Sequence, residues 1–148
     1  MRAFQSRTGF TVLELQLVVA IMSILSSTVM LAVDPARNLA QAYNSQRWMD
    51  VNGIMRAVQQ YEIDNGGKMP ATVLAASREI CRTEAKRCIG MVDLTVLTAH
   101  KKYLTRLPVD PVSASENGTG YFIFRDADDR VNVTAPFAQL GSDISINL

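Results

Sequence analysis

One stretch constrains this chain before any other. Across residues 10–33, 17 of 24 residues are hydrophobic and Glu14 is the only charge. A helix needs about 20 apolar residues to cross the hydrocarbon core of a bilayer, so the run has spanning length with little to spare. Elsewhere the chain is ordinary for a water-soluble domain, with 54 hydrophobic residues among the other 124. Arg2 and Arg7 precede the run with no acidic residue beside them. Basic flanks stay in the cytoplasm, which predicts a carboxyl-terminal body on the far side of the membrane.

A secretory signal peptide shares the basic start and apolar middle. The run here exceeds the core of about 7–15 residues usual for such a signal, and it carries a carboxylate inside it. An ionisable side chain in a membrane helix is functional by default and needs a partner. No Lys or Arg lies within one turn of Glu14 on its carboxyl side, so its charge partner is expected from elsewhere.

Gly9-Phe10-Thr11-Val12-Leu13-Glu14 resembles the processing site of type IV prepilins and of the related pseudopilins of type II secretion. In that family a membrane peptidase cuts after the glycine and the new amino-terminal Phe is N-methylated. The resemblance implies a leader over residues 1–9, cleavage between Gly9 and Phe10, methylation of Phe10, and a charge-pairing role in assembly for Glu14. Glu14 of one subunit would neutralise the Phe10 amine of a neighbour within a low-dielectric helix bundle. Gln16 departs from the pattern, standing where the family usually has an aliphatic residue; a hydrogen bond between packed helices there contributes about 1 kcal/mol or less. The resemblance covers residues 2–61 closely and 103–148 more loosely.

Beyond the apolar run, Asp34-Pro35 marks a junction, either a kink at the membrane exit or a helix restart with Asp34 as cap. Residues 36–64 are amphipathic, with Leu39, Tyr43, Val51, Ile54, Val58 and Tyr61 on one stripe and Arg47 filling the gap in it. Asn65-Gly66-Gly67 is the stop signal. A helix over residues 10–64 would run about 80 Å at 1.5 Å per residue. Its first half wants lipid and its second half wants a sheet. Met69-Pro70-Ala71-Thr72 reads as a turn and residues 92–104 as a short helix. The loop Tyr103-Leu104-Thr105-Arg106-Leu107-Pro108-Val109-Asp110-Pro111 resembles the one that precedes the sheet in many short bacterial pilins. Asn117-Gly118-Thr119-Gly120 reads as a further turn. Tyr121-Phe122-Ile123-Phe124-Arg125 and Arg130-Val131-Asn132-Val133-Thr134 read as a hairpin, with Ile144-Ser145-Ile146 a weaker third strand.

The expected fold is therefore α+β and type IV pilin-like, a long amino-terminal helix packed on a small antiparallel sheet. Its parts are a leader (1–9), a membrane and polymerisation helix (10–33), an amphipathic half-helix (34–64) and a head (65–148).

Other signals are weaker. Cys81 and Cys88 enclose six residues; on the outer side of the membrane a disulfide is favoured, and a metal or redox pair is the competing reading. Asp126, Asp128 and Asp129 offer oxygens for calcium, or simply form a polar turn. His100 beside Lys101 and Lys102 suits a helix end better than catalysis. Trp48 and Met55, seven apart, either join a subunit contact or shield the head. No nucleophile elbow, phosphate-binding glycine loop or paired catalytic carboxylate is present, so neither an enzyme nor a cofactor is expected. With 15 basic and 14 acidic residues there is no excess that marks a nucleic-acid binder.

The family resemblance implies a structural filament subunit. Its partners would be further copies of itself in a helical homopolymer, the prepilin peptidase and methyltransferase, and a membrane assembly machinery. It would begin as a single-pass membrane protein with a cytoplasmic amino terminus and end in an extracellular filament. The alternative within the family is a type II secretion pseudopilin. Outside it stand a monomeric anchored binding module and a small secreted protein.

Overall fold

The computed structural model describes residues 9–32 and 34–147. The rest of the expected leader, Val33 and Leu148 lie outside the described residues. The chain divides into two units, Met1–Asn38 and Leu39–Leu148.

In the first unit, helix α1 spans Val12–Ala32, 21 residues. At 1.5 Å per residue it is about 31 Å long, the thickness of a bilayer core. It is the one helix among the described residues long and apolar enough to cross a membrane. Its polar side chains do not contradict that character. The hydroxyls of Ser23, Ser26, Ser27 and Thr28 donate to the carbonyls of Val19, Met22, Ser23 and Ile24 at 2.7–2.8 Å. Each hydroxyl is thus satisfied within the helix, as an apolar medium requires.

Helix α2 spans Pro35–Asp64. Asp34 Oδ1 accepts a hydrogen bond from the Arg37 amide at 3.0 Å, and Pro35 takes the first helical position, where no amide donor is needed. The capped start expected as one reading of this junction is present. At the other end Gly66 and Gly67 adopt φ of 67° and 81°, and the Gly67 amide donates to the Glu62 carbonyl at 2.9 Å. That bond closes the helix in the left-handed geometry glycine favours.

The second unit is built on a four-stranded antiparallel sheet in the order β1 (Arg78–Cys81), β2 (Gly118–Arg125), β3 (Val131–Thr134) and β4 (Ser145–Asn147). The expected hairpin is β2–β3, with Ile123 opposite Val133, and the weak third strand is β4. Alternation puts Tyr121, Ile123, Val131 and Val133 on the covered face, where they form one core with Val51, Ile54, Met55 and Val58 of α2. Leu39, at the top of the stripe, is 52% exposed and lies outside that core.

Three expectations fail in this unit. Strand β1 was not anticipated, because Arg78-Glu79-Ile80-Cys81 shows no alternation and its register shifts between Glu79 and Cys81. Gly118 to Gly120, read as a turn, belongs to β2. The short helix expected over 92–104 shrinks to α3 (Thr95–Thr98) and one 3-10 turn (Ala99–Lys101), while Val92 bridges to Ile80 at the sheet edge.

Cys81 and Cys88 form a disulfide, their Cα atoms 5.6 Å apart. The ring it closes is fastened on two sides. Asn117 Oδ1 accepts from the Lys86 and Arg87 amides, and Thr83 Oγ1 accepts from the Leu107 amide at 2.9 Å. Reduction is expected to remove about 2–3 kcal/mol of stability, the loop-closure value for so small a ring. Thermal unfolding with and without dithiothreitol checks this. An unmoved midpoint would show that the hydrogen bonds alone hold the ring.

Candidate functional site

The first candidate is the start of α1. Gly9 and Phe10 are exposed and non-helical, Phe10 at 84%. Thr11 caps the helix. Its hydroxyl accepts from the Glu14 amide at 3.2 Å, and the Glu14 carboxylate accepts from the Thr11 amide and hydroxyl, each at 2.9 Å. This reciprocal pair is a capping box, which satisfies donors a helix start leaves free. The helix therefore begins at Val12 rather than Phe10.

Glu14 is engaged within its own helix start and not by a cation on its carboxyl side. Its hydrogen-bond partner lies three residues towards the amino terminus, and the T-x-x-E spacing that signals it is visible in the sequence. Gln16 is exposed, and its side chain makes no hydrogen bond among the described residues.

The second candidate is a polar ladder on α2. Asn44, Arg47 and Asp50 recur every three residues and face three different parts of the head. Asn44 Nδ2 donates to the Gln139 carbonyl at 2.7 Å, and Asn44 Oδ1 accepts from the Gln139 amide at 2.9 Å. Arg47 is fully buried and forks onto Asp110, Nε to Oδ2 at 2.6 Å and Nη2 to Oδ1 at 3.1 Å. Tyr121 donates its hydroxyl to Asp50 Oδ2 at 2.7 Å.

Asp110 is positioned by its own loop. The Val112 and Ser113 amides donate to its Oδ1 at 2.8 and 2.7 Å, an Asx turn built on Asp110-Pro111. Strand β2 passes directly over it at Gly120, where φ is 83° and a Cβ would sit 2.7 Å from Asp110 Cβ. Glycine is required there on both counts.

These environments pull two carboxyls in opposite directions. Burial alone would push Asp110 up, but the Arg47 guanidinium and the two loop amides reverse that and hold it below the usual range. Burial pushes Asp50 up; the Tyr121 hydroxyl draws it part-way back and the Asp110 charge adds to the rise. Burial, reinforced by the bond to Asp50, pushes the Tyr121 phenol well up, so it stays protonated.

The sign of the acid response follows. A depressed Asp110 contributes stability that is complete above the unfolded value near pH 4 and is lost as pH falls through its folded value. Asp50 acts oppositely, since its carboxyl binds a proton more tightly folded than unfolded. Denaturant midpoints are expected to fall as pH drops below about 4, and less steeply in Asp110→Asn. Equal slopes in the two proteins would exclude Asp110 as the source.

The remaining sequence candidates scatter. Asp126 accepts from the Asp128 and Arg130 amides and from Arg130 Nε, Asp128 pairs with Arg130 at 2.9 Å, and Asp129 pairs with Arg125 at 2.9 Å. The Arg130 amide, with other local donors, holds the Asp126 carboxyl below its usual range. These three are occupied by arginines within a hairpin turn, and no group of three metal-ligating side chains occurs among the described residues. Trp48 and Met55 part company, Trp48 being 42% exposed and Met55 in the core. His100 and Lys101 are exposed with φ of 52° and 55°, in a loop fastened to the end of α2 by the Lys102–Asp64 ion pair at 2.7 Å.

No protein-family model, curated protein or solved structure matches the chain.

Proposed function

We propose that the chain is the precursor of a type IV pilin-like filament subunit. One observation carries the reading: an exposed Gly9–Phe10 pair stands directly before a capped, 21-residue apolar helix whose membrane-length window is left uncovered by the described residues. Such a helix is stored in lipid first and packs against its own copies later. There, close packing and polar contacts replace the hydrophobic effect as driving force. A heterologous, non-closing contact between copies then propagates a helical filament. The α+β head forms the filament surface. Removing Arg2 and Arg7 with the leader would leave 13 basic and 14 acidic residues.

Intact mass of the mature protein tests the reading. It is expected to equal residues 10–148 plus one methyl group. Retention of residues 1–9, or cleavage beyond Val33, would exclude it.

The capping box supplies a sharper test of Glu14. Glutamine at this position keeps the box but carries no charge, whereas alanine loses both and about 1 kcal/mol of helix stability. If pairing with a neighbouring Phe10 amine drives assembly, Glu14→Gln and Glu14→Ala are both cleaved normally and both fail to form filaments. Normal filaments from Glu14→Gln would reduce the role of Glu14 to the cap.

A further inference from the structure

A groove of about 500 Å³ runs between α2 and two loops of the head. Its floor is one helix face, carrying Met49, Asp50 and Gly53; its walls are residues 82–84, inside the disulfide ring, and residues 106–109. The volume falls in the range of ligand pockets, enough for two or three residues of peptide. The walls are held in advance by the disulfide and by the Leu107 amide bond to Thr83, so little ordering is needed on binding.

Two features of the floor are not fully accounted for by contacts among the described residues. Gly53 sits in the middle of α2, where glycine is about 1 kcal/mol less favourable than alanine. A Cβ added there would meet nothing within 4 Å, so no internal packing requires its small size. A mid-helix glycine without internal cause fits the close approach of something external. Asp50 is the second feature. Oδ2 is taken by Tyr121, but Oδ1 accepts no hydrogen bond among the described residues. A half-buried carboxylate with an open lone pair calls for a donor, best a cationic one.

The rim carries charge of both signs, Arg82 and Arg106 against Glu84. Arg106 and Glu84 line the groove and make no ion pair among the described residues. Met49, Leu107 and Pro108 add apolar lining to the same groove, suited to an aliphatic spacer.

We propose that this groove binds a short zwitterionic peptide, its α-ammonium on Asp50 and its carboxylate on Arg106. The peptide backbone crosses Gly53, where a side chain would block it. The site is independent of the filament reading.

The test uses the isotope-labelled full chain in detergent micelles, titrated with trialanine bearing free termini and followed by amide chemical shifts. Saturable shifts are expected at Gly53, Glu84 and Arg106. N-acetylation of the probe, or Asp50→Asn in the protein, is expected to weaken binding about tenfold or more, the loss of one charge-assisted contact. Gly53→Leu is expected to abolish binding while unfolding no earlier than the parent, because leucine favours helix and its Cβ has open space. No saturable shift at the groove would overturn the proposal. So would equal binding of the acetylated probe, or undiminished binding by Gly53→Leu.

Discussion

Replacing Asp110 with alanine is expected to lower the unfolding free energy by about 3–5 kcal/mol, enough to unfold many single domains. The substitution leaves the guanidinium of Arg47, fully buried, with one remaining acceptor at Asn44 Oδ1, 3.0 Å away. It also strips the acceptor from the Val112 and Ser113 amides. Arg47→Met is expected to cost a similar amount by the converse route, an uncompensated buried carboxylate. The losses are not additive. In the double variant Arg47→Met/Asp110→Asn no charge is buried and the asparagine carbonyl still caps the loop. It is therefore expected to recover most of what either single change loses. Urea unfolding of the full chain in detergent measures all four proteins. Single variants within about 1 kcal/mol of the parent would show the pair to be a passive passenger of the fold.

Ile21→Arg is expected to remove the chain from the membrane. Ile21 lies near the centre of α1, where arginine costs about 2.5–3.5 kcal/mol on insertion and isoleucine contributes favourably. The sum corresponds to a shift in partitioning of about a hundred- to a thousandfold. No acidic side chain lies within a turn of position 21 to compensate. Alkaline carbonate extraction of membranes reads the result: the parent is expected in the pellet and the variant in the supernatant. A parent found in the supernatant would mean that α1 is not held by lipid. A variant that pellets with the parent would mean that α1 does not need an apolar centre to stay in it.

Much of this architecture was legible in order along the chain. Continuous apolarity marks α1, period-3.6 spacing marks α2, and period-two alternation marks β3, because each pattern records which faces must leave water. Asp34-Pro35 and Asn65-Gly66-Gly67 mark the ends of α2 by local backbone chemistry. The capping box at Thr11 and Glu14 is equally local, carried by the T-x-x-E spacing and not by the charge of Glu14. Strand β1 was not legible: four residues with two adjacent buried side chains have no period to detect.

Local pattern places one apolar helix at the amino terminus and one amphipathic helix after it. These are properties of nearest neighbours and of spacing along the chain. Arg47 was visible only as a polar gap in an apolar stripe. That it lies fully buried against Asp110, 63 positions away, was decided by tertiary structure alone. A buried charge demands a partner, but any of the chain's carboxylates satisfies that demand on paper. Only the turn at Asp110-Pro111, the passage of Gly120 above it and the packing of α2 on the sheet bring this one within reach.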